Sequence, residues 1–219
     1  LIKLNFKSKK LLLLQRNELL TDKQKWLKRK FGRFFFTNFL INFFQKPNLE
    51  KVVEELFISE INTFKEYLPK SVNNIMDIGC GLGIININLN KFYNTKPNFF
   101  LIDKNRIDLK IKYGFSSNYE SYNDLDETRE ILLNNNLDKN CIKLLNAEKK
   151  IYINQKIDLV ISLKSMGYHY PFENYLEIFG KCCHRETKFI FDVNKDYFSK
   201  NNLNKYFEII DVIYKEESI

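Results

Sequence analysis

Glycine is scarce in this chain, at seven of 219 residues, and alanine is scarcer still, with Ala147 alone. Lysine, asparagine and isoleucine abound instead, a bias that an AT-rich genome can impose without functional meaning. The four cysteines (Cys80, Cys141, Cys182, Cys183) form no C-x-x-C pair and keep no regular spacing. A secreted disulfide framework is therefore not indicated, and a reduced cytoplasm is the expected compartment. No apolar run approaches the roughly 20 residues that a membrane-spanning helix needs. The strongest candidate, "FFFTNFLINFF" at 34–44, is 11 residues long and holds two asparagines. "LLLL" at 11–14 is shorter, and no small-residue cleavage site follows it. Repeats and low-complexity linkers are absent too, and the sequence begins with Leu1, so either a fragment or a start codon read literally is expected.

What is present is a folded-protein composition, 44% apolar and 28% charged, with charge placed unevenly. Residues 1–33 carry eleven Lys/Arg against Glu18 and Asp22, a net of +9, whereas the remainder nets −1. The basic character belongs to the N-terminal arm. Such asymmetry suits an anionic partner, nucleic acid or a membrane surface, but a solvated lysine face is the commoner meaning.

Two helices are expected before residue 70. Thr21 and Asp22 can cap one through "KQKWLKRKFGRFFFTNFLINFF", with Gly32 a soft point and Pro47 a stop. A second follows Asn48, where Val52, Val53, Leu56, Phe57, Ile61, Phe64 and Leu68 recur at helical spacing up to Pro69. Residues 1–20 show no assignable pattern. From residue 73 short apolar runs alternate with helical stretches, at "NNIMDIG", "NFFLID", "CIKLLNA", "IDLVISL", "KFIFDV" and "YFEIIDVIY". That alternation predicts βαβ units around a mostly parallel sheet with helices on both faces, and ligands at the carboxyl ends of its strands. The organisation read from this is a basic, mainly helical extension over 1–70 and an α/β Rossmann-like domain over 71–219.

Three of the seven glycines fall within "IMDIGCGLGI", residues 75–84. Glycine provides positive φ and close backbone approach, both needed where a tight turn wraps a ligand at a helix N-terminus. A dinucleotide-binding turn has G-x-G-x-x-G; here the spacing is G-x-G-x-G, and Ile84 stands where the third glycine would fall.

With its acidic residue two positions ahead of the glycines, "DIGCGLG" resembles the first motif of the class I S-adenosyl-L-methionine (SAM) dependent methyltransferases, and the resemblance runs in order from about residue 73 to 214. It implies that Gly79, Cys80, Gly81 and Gly83 line the methionine part of SAM, with Asp77 acting on the turn and on the cofactor's amino-acid end. Asp103, closing the second strand, would accept the ribose hydroxyls. Asn146 and Glu148, after the third strand, match the position that contacts adenine, where the family more often has aspartate. The same fold ends in an antiparallel seventh strand, for which residues 215–219 are too few, so that strand is expected to be missing or truncated.

The fourth strand leads into "SLKSMGYHYP", which gathers Ser162, Lys164, Ser165, Tyr168, His169 and Tyr170. Ser162 is expected beside the cofactor. Methyl transfer needs donor and acceptor held close and a proton removed, and a histidine titrates in the right range for a hydroxyl acceptor. His169 is thus the expected general base, with Lys164, Ser165, Tyr168 and Tyr170 toward the acceptor. His184 beside Cys182 and Cys183 reads as structural, and no metal is expected. By the resemblance, the missing N/D-P-P-Y/F signature argues against exocyclic amines of bases, and the missing Pro-Cys pair against cytosine C5. No aspartate of the metal-dependent catechol type stands at Ser162–Lys164. "CCHRETKF" replaces the usual Pro-Gly-Gly turn. A small-molecule or saccharide-like acceptor, methylated at oxygen, is the leading expectation. A nicotinamide-dependent oxidoreductase stays open, as does a non-catalytic nucleotide-binding module whose residues 1–33 hold RNA or membrane. The same arm could instead be a helical cap on the pocket. Oligomeric state is not readable.

Overall fold

The computed structural model describes residues 1–39, 48–107, 122–168 and 170–213. The first twenty residues, patternless in sequence, contain helix α1 (Phe6–Gln15), capped by the Asn5 side chain on the Ser8 N–H (2.8 Å). Leu11, Leu12, Leu13 and Leu14 are all buried, so this helix is covered on more than one side and no single-faced periodicity could announce it. Helix α2 (Asp22–Phe31) begins at the expected Thr21 cap, with Gln24 completing a capping box. It stops at Gly32 (φ 85°), and a separate short helix α3 (Arg33–Asn38) turns Phe36 and Thr37 into the core. Pro47, the expected stop, lies outside the described residues. Helix α4 (Leu49–Phe64) buries Val53, Phe57, Ile61 and Phe64 of the expected stripe together with Leu49, leaves Val52 and Leu56 partly buried, and ends short of Pro69.

Then the α/β part follows: β1 (Asn74–Ile78), α5 (Ile84–Phe92), β2 (Asn98–Asp103), the two-residue strands β3 (Arg106–Ile107) and β4 (Tyr122–Asn123), α6 (Leu125–Asn134), β5 (Ile142–Asn146), β6 (Ile157–Leu163), α7 (Leu176–Cys182), β7 (Cys183–Asp192) and α8 (Lys195–Lys200). Five strands form one parallel sheet in the order β5-β2-β1-β6-β7. Successive residues serve opposite faces. Ile75, Phe99, Leu101, Leu159 and Ile161 pack with α1, α4 and α5, whereas Met76, Ile78, Phe100, Ile102 and Val160 pack with Phe172, Phe179 and Leu203. This two-sided burial explains the unbroken apolar runs of the central strands. The architecture is α/β and Rossmann-like, with helices on both faces and a helical region ahead of it.

Two expectations differ. "YFEIIDVIY" forms no strand over its described residues; Phe207 instead packs in an aromatic cluster, tilted against Phe189 at 4.9 Å and edge-on to Phe191 at 5.5 Å between ring centroids. A β-prone run becomes a strand only where a ladder partner is offered, and ring packing wins here. Among the described residues the sheet ends at β7, and the small antiparallel β3–β4 pair has no counterpart in the sequence reading.

The N-terminal helices share one core with the sheet, and a nearly buried ion pair ties the end of α1 to α4. Arg16 grips Glu60 with both nitrogens (2.7 and 3.1 Å) and lies over the Phe57 ring at 4.7 Å. Removing one member strands the other charge, so Arg16→Ala is expected to cost about 3 kcal/mol. Urea unfolding of Arg16→Ala, Glu60→Ala and the double variant checks this, since the double should lose less than the two singles added.

Candidate active site

The glycine turn is bent onto the end of β2. The Gly79 and Cys80 N–H groups both donate to the Ile102 carbonyl (2.8 and 3.3 Å), and Gly83 donates to the Cys80 carbonyl (2.9 Å) before α5 begins. Gly79, Gly81 and Gly83 have φ of 73°, 53° and 70°, in the left-handed region where a side chain is strained. Gly81 is tied on both sides of its peptide units. Its N–H donates to Asp103 Oδ2 (2.7 Å), and its carbonyl accepts from Asn123 Nδ2 and Thr128 Oγ1 (2.9 Å each).

Two carboxylates lie beneath this turn. Asp77 is 2% exposed and accepts from Asn86 Nδ2 at 2.6 Å. Burial pushes its pKa up to about 7; the Asn86 amide opposes the rise, nearby Asp103 adds to it, and Arg16 opposes it. Asp103 is partly buried, and its crowded surroundings raise its pKa to about 6 against the pull of the Gly81 and Lys104 N–H groups. Each Asp103 oxygen takes one of those N–H groups (both 2.7 Å) and keeps further acceptor capacity. A carboxylate so placed at the sheet's carboxyl edge suits a vicinal diol, and in this respect the residues fit the ribose of SAM.

Strand order β5-β2-β1-β6-β7, a three-glycine turn after β1 and an acid ending β2 occur together. That combination is what the resemblance to the class I methyltransferases implies for this part of the chain. No family model matches the chain, and no curated protein matches it. Solved structures are similar to it. One described as a putative O-methyltransferase from Nostoc punctiforme has 16% identity and a TM-score of 0.43, covering 67% of this chain and 38% of that one. A cyclopropane-fatty-acyl-phospholipid synthase-like protein from Lactobacillus casei has 16% identity and a TM-score of 0.46, covering 63% and 49%. Coclaurine N-methyltransferase, bound to N-methylheliamine and SAH, has 12% identity and a TM-score of 0.43, covering 61% and 35%. The part of this chain that aligns spans about one third to one half of the length of those proteins.

Within this α/β fold the remaining expected residues divide. Asn146 pairs with Asp103 in the β2–β5 ladder, so the two stand side by side at the sheet's carboxyl edge. The Asn146 side chain accepts the Glu148 N–H (2.9 Å), and Glu148 is ion-paired to Arg106. Cys80 is buried beside both aspartates; burial and their charges push its thiol well above the ordinary range. Ser162 is fully buried, donating to the Ile78 carbonyl (2.7 Å) and accepting from the Met166 N–H (3.2 Å). It fastens the start of the loop to β1. Ser165 presses directly on Gly79. Lys164, at φ 61°, reaches back to Glu18, so it ties the loop to the N-terminal region. Tyr168 donates its hydroxyl to Asp192 (3.1 Å). Tyr170 is half-buried with Lys104 Nζ 5.3 Å from its ring centre, and burial raises its pKa. His169 lies outside the described residues. His184 is placed structurally, its Nε2 3.5 Å from Asp158 and its N–H on Thr187 Oγ1 (2.9 Å).

Sequence reading missed Asn86, Asn123, Thr128 and Gln15. Asn86 had a signal: it interrupts the apolar "IININL" one turn into a helix, and a buried amide there needs a partner. Asn123 and Thr128 had none, because their use depends on where the β4–α6 segment crosses the turn. Gln15 comes from α1 and would stand 3.0 Å from a Cβ at Gly81, which makes α1 a cap over the glycine turn.

Proposed function

We propose that the chain is a SAM-dependent methyltransferase acting at an oxygen of a small-molecule or saccharide-like acceptor. The observation that carries the cofactor reading is the closure of Asp103 on the Gly81 N–H, with Asp77 buried behind the same turn. When bound, SAM supplies a methyl group on a sulfonium, an electrophile that needs little from the protein beyond alignment. In this reading the main chain of Gly79, Gly81 and Gly83 lies along the cofactor, Asp103 orients its ribose, and Asn146 stands beside it. Cys80 and Ser162 act by packing and bracing the turn. Ser165, Tyr168 and Tyr170 shape the acceptor side, Lys164 holds that loop against the N-terminal region, and His169 takes the acceptor's proton. Burial of Ile84 supports this reading over a nicotinamide oxidoreductase, because the third-glycine position is filled by a core side chain.

Calorimetric titration with SAM and S-adenosylhomocysteine, with NADH as control, tests it. Saturable binding of the sulfur ligands is expected, with Asp103→Ala weakening it at least about tenfold, the scale of a charge-assisted pair of hydrogen bonds. Binding of NADH alone would exclude the methyltransferase reading.

A further inference from the structure

Helices α2 and α3 turn opposite faces to different surroundings. Phe36 and Thr37 are fully buried, whereas Trp26, Phe31, Phe35 and Phe39 are 50%, 47%, 50% and 55% exposed. These exposed rings form one strip: Phe31 to Phe35 is 5.8 Å and Phe35 to Phe39 is 5.3 Å between centroids, and Lys30 Nζ stands 5.0 Å from Trp26 and 5.5 Å from Phe31. Residues 21–39 contain six Lys/Arg and one carboxylate, Asp22. Lys23, Arg29 and Lys30 are exposed around the strip.

We infer that this strip is a docking surface for the headgroup and upper acyl region of an anionic phospholipid bilayer. Aromatic and aliphatic surface ringed by cations gains both from apolar burial and from the negative surface potential of such a membrane. Long lysine stems can lie along the rings while the ammonium reaches phosphate. Single-stranded RNA fits less well. Phe35 and Phe39 are stacked on each other, and Lys30 stands against Trp26 and Phe31, so ring faces are committed where a base platform would offer them. A second copy fits less well too, because isologous pairing would set one basic strip against another. No described helix is long and apolar enough to cross a membrane, and this surface requires none: it lies in the interface plane.

Trp26 is the chain's single tryptophan, so its fluorescence reports on this surface alone. The full chain is mixed with vesicles of phosphatidylcholine, or of phosphatidylcholine with phosphatidylglycerol, and followed by co-sedimentation and emission. Binding to the phosphatidylglycerol vesicles with a blue shift of Trp26 is expected, and much weaker binding to phosphatidylcholine alone. Arg29→Gln with Lys30→Gln should weaken partitioning roughly 25-fold, about fivefold per lost cation. Phe35→Ser with Phe39→Ser should abolish the blue shift; circular dichroism and SAM titration confirm that both variants remain folded. Absence of vesicle binding by the unaltered chain, or binding with unchanged Trp26 emission, overturns the proposal. So does a Trp26 shift produced by single-stranded RNA, or by concentration-dependent self-association, without lipid. Vesicle binding and SAM binding are read separately, so either can fail while the other stands.

Discussion

Alanine at Gly79 is expected to lower the thermal midpoint by roughly 10 °C and, under the proposed function, to abolish SAM binding. A Cβ built there would lie 2.1 Å from Ser165 Oγ and 2.2 Å from Ser165 Cβ, at a φ of 73°. The left-handed conformation costs about 1–2 kcal/mol for a side chain, and overpacking about 1–3 more. For a chain of this size each kcal/mol moves the midpoint about 2–4 °C. Ser165 has little room to retreat, since its carbonyl accepts the Tyr168 and Tyr170 N–H groups (3.2 and 3.3 Å) and Met166 beside it is fully buried. Differential scanning calorimetry of three variants separates the causes. Gly79→Ala with Ser165→Gly should recover the overpacking part but not the conformational part. Gly81→Ala should cost only about 1–2 kcal/mol, because its Cβ meets the end of the flexible Gln15 side chain at 3.0 Å. Equal losses at Gly79 and Gly81, unrelieved by Ser165→Gly, would refute the packing argument.

Asp77→Asn is expected to stabilise the protein at pH 8 and, under the proposed function, to weaken SAM binding. Asp77 has its pKa raised from 3.8 to about 7 in the folded protein, chiefly by burial. A folded state that binds a proton more tightly than the unfolded chain loses stability as pH rises between the two pKa values. Asp77 therefore contributes a decline from about pH 4 to about pH 7, amounting to about 4 kcal/mol at most, and then a plateau. Partly buried Asp103, raised to about 6, acts in the same direction, and Arg16 moderates Asp77. Asparagine removes the ionisation while its amide oxygen can still accept from Asn86. Urea unfolding of both proteins from pH 4 to pH 8 should show curves that meet near pH 4 and diverge upward for the variant. Parallel curves would mean that Asp77 is not held neutral by burial.

The central part of the molecule could be read from sequence because its signals are local. Gly79, Gly81 and Gly83 mark a turn that few other residues can make, and the stripe from Leu49 to Phe64 repeats at helical spacing. β2 and β6 run over 98–103 and 157–163, as expected of apolar runs buried on both faces. What escaped is what depends on distant partners. Leu11–Leu14 could not reveal that α1 would be enclosed, since consecutive leucines have no period. The Phe207–Ile209 stretch carries β-prone residues but meets aromatic rings where a strand partner was expected. Ser162 sits where the resemblance places a cofactor contact, yet its hydroxyl bridges two main-chain groups, a use set by the close approach of β1 and β6. The +9 of the arm is partly spent internally: Lys7 bonds Asp124 (2.6 Å), Lys9 Glu50 (2.5 Å) and Lys28 the Leu13 carbonyl (3.1 Å).

The seating of the N-terminal region also bears on the order in which the molecule assembles. Lys3 exchanges hydrogen bonds with Asn135, 132 residues away, and Glu18 meets Lys164, 146 residues away. The early segment can meet α3 and α4 soon after they emerge, but its contacts with α6, and then with the β6 loop, wait until those have been synthesised. Contacts of such separation close late and slow the search for the native state. Meanwhile a four-leucine run that ends up wholly inside the protein waits in water, open to chaperones and to other unfinished chains.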